Sequence, residues 1–482
     1  MRTTLPVLLL FISAFTANFV WANDEVANIE NCHLDGIRSQ VTCGTLLVPE
    51  NYQKPEGKKI SINFAVLPAI DNSQDKEALM FLAGGPGQAA VELAAHIING
   101  FAEIRKTRDI ILVDQRGTGL SQPMLCDEEK TDQFYSVIPE DYAEQDVIDC
   151  VEQFKESHEL SQYNSENAIR DFDAVRKALG HKQVHLYGAS YGTRAALVYM
   201  RLFPDSIKSV VLDSVGPIEI PIGLFGASSA RSFNLLLEHC LNDESCNKAY
   251  PNLREEFDTV VKRLSKNTVS LAINHPRLGT KTDFNLSHLK FINNIFKQLY
   301  SMETRSLVPL IIHQAFLENY QPLIGLIATS DGGMNMYVGL TFNIVCNEDI
   351  PRVTQSMLTQ DSDNDFGRGS TQTVYQSACK VWPKYEVESA FYQPVVANIP
   401  TLILSGDLDP VTPPSNGEIS AGTLTNSHHI ISKSNAHIVA STPCSVGMVN
   451  EFLGHLNPKD VDSSCLAELP SESFMTSLNG SI

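Results

Sequence analysis

The most constraining feature of the chain is the run QVHLYGASYGTRAALVYM, residues 183–200, where a β-rich apolar stretch turns at once into a helix-like pattern. Ser190 stands in that turn between Gly188 and Gly192. Glycines are needed there, because side chains would collide where strand and helix cross. The turn sets its serine above the N-terminus of the helix, where N–H groups and the helix dipole favour developing negative charge. A G-x-S-x-G run can also arise by chance, so Ser190 is either a nucleophile or a small residue in a tight turn. What decides is whether the rest of the chain supplies a base, an acid and an oxyanion site at compatible places.

The flanking elements set the fold class. KISINFAVLPA (59–69) reads as an edge strand, and ALMFLAGGPG (78–87) and DIILVDQRGTG (109–119) are apolar runs that end in glycines. ENAIRDFDAVRKALG (166–180) has Ile169, Phe172, Val175 and Leu179 on one helical face and Gly180 as its stop. IKSVVLDSV (207–215) is a further buried strand. Strands alternating with helices predict an α/β protein with a mostly parallel central sheet and helices on both faces. From about Gly216 to Asn398 the pattern becomes mainly helical, and strand rhythm resumes at IPTLILSGDLDP (399–410) and HHIISKSNAHIV (428–439). The expected organisation is a first part of the core over 23–215, a helical cap over 216–398 and the rest of the core over 399–482. Such a cap would cover the carboxyl ends of the strands, where open α/β sheets bind ligands.

A serine hydroxyl needs a neighbouring base, and this motif calls for an acid and then a histidine later in the chain. LILSGDLDPVTPP ends a strand in Gly406, Asp407 and Asp409, and SNAHIV places His437 in the loop past the next strand. Asp409 is preferred to Asp407, because a turn at Gly406–Asp407 carries Asp409 into the loop. His428 and His429 open their strand and so stand at its wrong end. The oxyanion donors expected are the backbone N–H groups of Tyr191 and Gly85; Pro86 has no N–H to give. GPGQAA also resembles a dinucleotide fingerprint, but its proline stiffens the turn and no acidic residue ends a strand some twenty residues later. DQRGTGLS (114–121) reads as a structural turn in which Asp114 and Arg116 are placed to pair.

The first 22 residues, MRTTLPVLLLFISAFTANFVWA, read as a secretory signal with Val20 and Ala22 before the cut. Their apolar core is short and interrupted by Asn18, which disfavours a membrane anchor. The compartment expected is therefore periplasmic or extracellular. The 10 cysteines all follow that cut and fall as sequence neighbours, as a disulfide framework would. Sequence leaves their connectivity open; pairing of neighbours is the arrangement assumed here. No C-x-x-C or H-E-x-x-H suggests zinc, and the chemistry outlined needs neither metal nor organic cofactor. A formal net charge of −20 argues against nucleic acid or an anionic membrane as partner.

Together, CGTLLVPENY (43–52), GGPG (84–87), DQRGTGLS, YGASYGT (187–193), SGDLDPVTPP (405–414) and the final AHIV…C resemble one family. They look like the α/β-hydrolases of the prolyl aminopeptidase and tripeptidyl aminopeptidase kind, which are serine exopeptidases. The SYGT elbow and the cysteine-bearing C-terminus are closer to the tripeptidyl branch. The resemblance implies an α/β-hydrolase fold with Ser190 as nucleophile, Asp409 as orienting acid and His437 as general base. Ala83 departs from the pattern, standing where many relatives carry His, and Ala436 and Ile438 flank His437 where glycines often occur. Aminopeptidases of this kind hold the substrate's α-ammonium with acidic groups near the cap, since an ammonium removed from water needs a carboxylate. Glu348 in IVCNEDIPR (344–352) is the expected group, with solvated surface acids as the plain alternative. The implied function is an exported aminopeptidase acting through an acyl-enzyme on short peptides with a free N-terminus. A carboxylesterase or lipase with the same triad, and a non-catalytic binding protein on the same scaffold, are the alternatives.

Overall fold

Period-two burial organises the central sheet. The computed structural model describes residues 28–71, 77–126, 144–274, 279–330, 336–369 and 371–480, and the expected signal segment 1–22 lies outside them. The strands are β1 (Asn28–Cys32), β2 (Val41–Pro49), β3 (Lys59–Leu67), β4 (Glu77–Leu82), β5 (Arg108–Val113), β6 (Val184–Ala189), β7 (Ile207–Asp213), β8 (Val269–Asn274), β9 (Lys281–Leu286), β10 (Thr401–Gly406) and β11 (Ser427–Ser432). Nine of them form one sheet in the order β1-β2-β3-β5-β4-β6-β7-β10-β11. The run from β5 to β11 is parallel, and β1, β2 and β3 extend it with antiparallel pairings.

Alternate residues of β4 show how both faces are covered. Ala78, Met80 and Leu82 join Ile169, Phe172 and Val198 from the helices Ser165–Ala178 and Tyr191–Leu202. Leu79 and Phe81 point the other way, toward Val446, Val449 and Phe452 of the helix Pro443–His455. Strands covered on both faces carry apolar residues without alternating polarity, and β5, β6 and β10 are buried along their whole length.

Two expectations differ from the structure, and one gains a detail. β3 is an interior strand between β2 and β5, and the edges are β1 and β11. Its partner β2 fits closely because Gly44 leaves room for the Phe64 ring, which a Cβ there would meet at 2.2 Å. Between β7 and β10 the chain is mainly helical and also contains an antiparallel hairpin, β8 and β9. The burial of that hairpin alternates along both strands, but only Ile273, Phe284 and Leu286 of it are buried. Its helices, among them Gly226–Asn242, Leu253–Lys266 and His288–Gln298, pack around Phe233, Phe257 and Phe291. Asp114 and Arg116 do not pair. Asp114 accepts from Asn63 Nδ2 (2.7 Å) and Val91 N (2.9 Å), and burial pushes its carboxyl up to about 6. Arg116 reaches the other way and grips both oxygens of Asp171 at 2.7 Å; those oxygens are buried and, among the described residues, otherwise accept from Tyr52 OH alone.

All ten cysteines form disulfides between sequence neighbours: Cys32–Cys43, Cys126–Cys150, Cys240–Cys246, Cys346–Cys379 and Cys444–Cys465. Among the described residues no helix is long and apolar enough to cross a membrane. The sheet order also fixes where a site can form. β4 and β6 are neighbours, yet the chain leaves β4 toward β5 on one side and β6 toward β7 on the other. Such a reversal opens a crevice at the carboxyl ends of the strands.

Arg116 is wholly buried and also donates to the carbonyls of Glu50 and Gln162. Arg116→Met strands the Asp171 carboxylate without its counter-charge, and breaking a buried pair in this way costs about 3–5 kcal/mol. Urea unfolding should show a midpoint lowered accordingly.

Candidate active site

Ser190 is the hinge between β6 and the helix Tyr191–Leu202. Its backbone sits at φ 55° and ψ −121°, a region that side chains rarely adopt. Strain of this kind costs on the order of 1–3 kcal/mol and persists only when neighbours over-determine it. They do so here. Ser190 N–H donates to Asp213 O at 3.0 Å, and its carbonyl accepts from Thr193 N at 2.9 Å. A Cβ at Gly188 would lie 2.4 Å from Gly192 O, and one at Gly192 would lie 2.0 Å from Leu82 O. Both glycines are required by the crossing itself.

The loop after β4 closes one side of this turn. A Cβ on Gly84 would stand 3.3 Å from the Ser190 Cβ, so the two segments are in contact. Gly84 N–H donates to Gln88 Oε1 at 3.0 Å, whereas Gly85 N–H meets no acceptor among the described residues. Gly85 and Tyr191 thus stand on the two segments that meet at Ser190. The loop is held from above, where Thr341 Oγ1 donates to Pro86 O (2.6 Å) and Tyr337 N to Gly87 O (2.9 Å).

Asp409 and His437 meet past the ends of β10 and β11. His437 Nδ1 lies 2.8 Å from Asp409 Oδ2. The carboxylate also accepts from Val411 N and Thr412 N at 2.8 Å and from Thr412 Oγ1 at 2.7 Å. Burial alone would raise the Asp409 pKa, but the His437 charge and these donors hold it below the ordinary aspartate value. Burial works against protonated His437, and Asp409 outweighs it, so the imidazole is held above the usual histidine range. Asp407 points elsewhere, paired with Arg231 and Lys433. His428 and His429 lie within β11, and His429 Nε2 bonds Ser405 Oγ at 2.9 Å.

The histidine loop is fastened to the end of β7. Ile438 N donates to Ser214 Oγ, and Val439 N and Ala440 N to the two oxygens of Asp213, each at 2.8 Å. These bonds hold Ile438 at φ 70°, unusual for a β-branched residue. Asp213 and Thr412 are not among the residues that the motifs single out. The available signals are an acid closing the apolar run IKSVVLD and a threonine three residues after Asp409.

Glu348 is not open to a ligand in the way expected. It is 1% exposed, and its oxygens accept from Ser165 N (2.8 Å) and Ser165 Oγ (2.6 Å) at the start of the helix Ser165–Ala178. Burial pushes its carboxyl up to about 7. A buried carboxylate takes the nearest donors, and here these are the unpaired groups of a helix N-terminus. Ser165 Oγ lies 2.8 Å from Tyr191 OH, so Glu348 is linked to the elbow through that serine. Asp349 is buried as well, bonded by Arg194 Nη1 at 2.8 Å and 3.1 Å and by Ile222 N at 2.9 Å. Neither acid is a solvated surface group.

Residues 77–225 match the sequence-family model described as alpha/beta hydrolase fold, and residues 365–465 match the one described as TAP-like protein. A tripeptidyl aminopeptidase of Streptomyces lividans is 31% identical over 210 residues, covering 39% of this chain and 37% of that protein. A serine protease of Mycobacterium bovis is 28% identical over 195 residues, 37% of each chain. A proline iminopeptidase of Aeromonas sobria is 29% identical over 192 residues, 38% of this chain and 39% of that one. The chain spans less than two-fifths of the length of these relatives.

The close approach of β10 to the histidine loop yields a test. A Cβ on Gly406 would lie 2.0 Å from Ala436 O and 2.5 Å from Asn435 O. Gly406→Ala must push His437 away from Asp409, and a displacement of about 1 Å is worth roughly a hundredfold in rate. The rate of fluorophosphonate labelling should fall by that order.

Proposed function

We propose that this chain, which has the α/β-hydrolase fold, is an exported serine aminopeptidase releasing N-terminal residues from short peptides. The observation that carries the proposal is the 2.8 Å contact between Asp409 and His437 past the carboxyl ends of β10 and β11, the same end of the parallel strands at which the strained Ser190 turn follows β6. The named relatives favour peptides over other acyl substrates. Five disulfides fit an oxidising compartment, periplasmic or extracellular. The helical segment between β7 and β10 is taken as a cap that admits short chains and excludes folded ones.

In the proposed reaction His437 Nε2 removes the Ser190 Oγ proton as Oγ attacks the scissile carbonyl. Asp409 keeps Nδ1 protonated and stabilises the imidazolium that forms. Gly85 and Tyr191 N–H groups receive the oxyanion, and the first turn of the helix Tyr191–Leu202 adds its dipole. Collapse of the tetrahedral adduct breaks the C–N bond. His437 passes its proton to the leaving amine, and the N-terminal fragment remains esterified to Ser190. Water, deprotonated by His437, then hydrolyses the ester and regenerates the hydroxyl.

Purified protein should be labelled by a fluorophosphonate, and Ser190→Ala should abolish the label. A panel of free and N-blocked mono-, di- and tripeptidyl amides tests the substrate class. Cleavage confined to free-amine amides is expected, whereas preference for acyl esters regardless of the amine would make it an esterase.

The pH dependence follows from His437, whose neutral form is the base. Its pKa is raised, so kcat/KM should climb with pH through a midpoint above the ordinary histidine value. In Asp409→Asn the partner that raises it is lost and burial remains. The acid limb should then move to lower pH, with a rate loss of about ten-thousandfold by analogy with other triads.

A further inference from the structure

Beyond the triad, the base is held by a residue from the helical segment. Tyr300 follows the helix His288–Gln298, and its carbonyl accepts the backbone N–H of His437 at 3.0 Å. Its ring meets the imidazole edge-to-face, with centroids 5.2 Å apart and planes 75° apart. Phe296, one turn back, meets the Tyr300 ring in the same manner at 5.4 Å. Tyr300 thus touches His437 through both main chain and side chain, and Asp409 holds the Nδ1 edge of the same imidazole.

The stretch that begins at Tyr300 is also fastened to the acid loop. Five residues on, the buried Arg305 donates to Ser232 Oγ and Ser232 O at 2.8 Å. Ser232 Oγ in turn donates to Leu408 O at 2.6 Å, beside Asp409. One short connector therefore holds the loops of the acid and the base in register. Aromatic pairs prefer this edge-to-face geometry, and an imidazole held this way cannot rotate to trade Nδ1 for Nε2 without displacing the neighbouring ring.

We propose that Tyr300 is a positioning residue for His437, locking the imidazole so that Nδ1 stays on Asp409 while Nε2 faces Ser190. The base is then complete only with the helical segment docked, and that segment acts as a jig for the reaction as well as a cover. This rests on the serine-hydrolase reading of Ser190 and His437.

The test is the rate at which a small fluorophosphonate labels Ser190, since that probe has no N-terminus to be recognised. Tyr300→Ala keeps the carbonyl and removes the ring; it should slow labelling and lower kcat by about tenfold, with KM little changed. Tyr300→Phe keeps the ring and should restore most of the rate. Thermal unfolding of each variant checks that the fold is intact. Should Tyr300→Ala fail to fold, Tyr300→Leu keeps the volume without the aromatic edge and is expected to show the same loss. Labelling at the wild-type rate in Tyr300→Ala or Tyr300→Leu, with only KM raised, would make Tyr300 a substrate contact and overturn the proposal. If the wild type labels and these variants label equally, Tyr300 alone is misassigned; a wild type that takes no label overturns the serine-hydrolase reading with it.

Discussion

The carboxyl end of β7 is the point on which the site depends. The main-chain oxygen of Asp213 takes Ser190 N–H, and its carboxylate takes the N–H groups of Val439 and Ala440. Tyr187 OH from β6 donates to the same carboxylate at 2.6 Å, and Ser214 Oγ holds Ile438 N–H. Two backbone conformations that are unfavourable alone, at Ser190 and at Ile438, are thus held by two adjacent residues. The buried Asp213 carboxylate meets three donors, which is how a charge or a carboxyl survives in a core. Without this node the turn carrying Ser190 and the loop carrying His437 would have no common reference.

From that node the remaining parts are tied on in sequence. The loop after β4 packs on Ser190 through Gly84, and Gly406 lets the histidine loop cross β10. The helical segment then grips three strand-end loops: Thr341 and Tyr337 the one after β4, Ser232 and Arg231 the acid loop, and Tyr300 the histidine loop. Arg194, one helical turn past Ser190, joins the same segment through Asp349. A segment attached at so many places to the strand-end loops influences their geometry.

Much of this was legible in the sequence because it is local. The apolar runs of β4, β6 and β10 end in glycines, and Ser190, Asp409 and His437 follow strands in the order that the topology requires. Strand-end position mattered more than composition. Ser209, His185 and Glu77 also form a serine–histidine–acid chain, at 2.7 Å and 3.1 Å, but at the start of their strands, where Ser209 is sealed from solvent. What the sequence hid depends on contacts between distant residues. Nothing in IVCNEDIPR distinguishes an acid that caps a buried helix from one that faces a ligand. Nothing at the end of LKFINNIFKQLY announces that Tyr300 meets a histidine 137 positions later. The β8–β9 hairpin hid for another reason: its burial alternates, but only Ile273, Phe284 and Leu286 of it are buried, and it stands within a mainly helical segment.

The central claim is that Ser190 carries the N-terminal fragment of a peptide as a covalent intermediate. Rapid acid quench during turnover of a free-amine peptidyl ester, followed by mass spectrometry of the digested protein, tests it most directly. The proteolytic fragment containing Ser190 should be heavier by the mass of the acyl group, and an N-acetylated ester should leave it unchanged. Turnover with no adduct, an adduct on another residue, or equal acylation by the blocked ester would contradict the proposed chemistry.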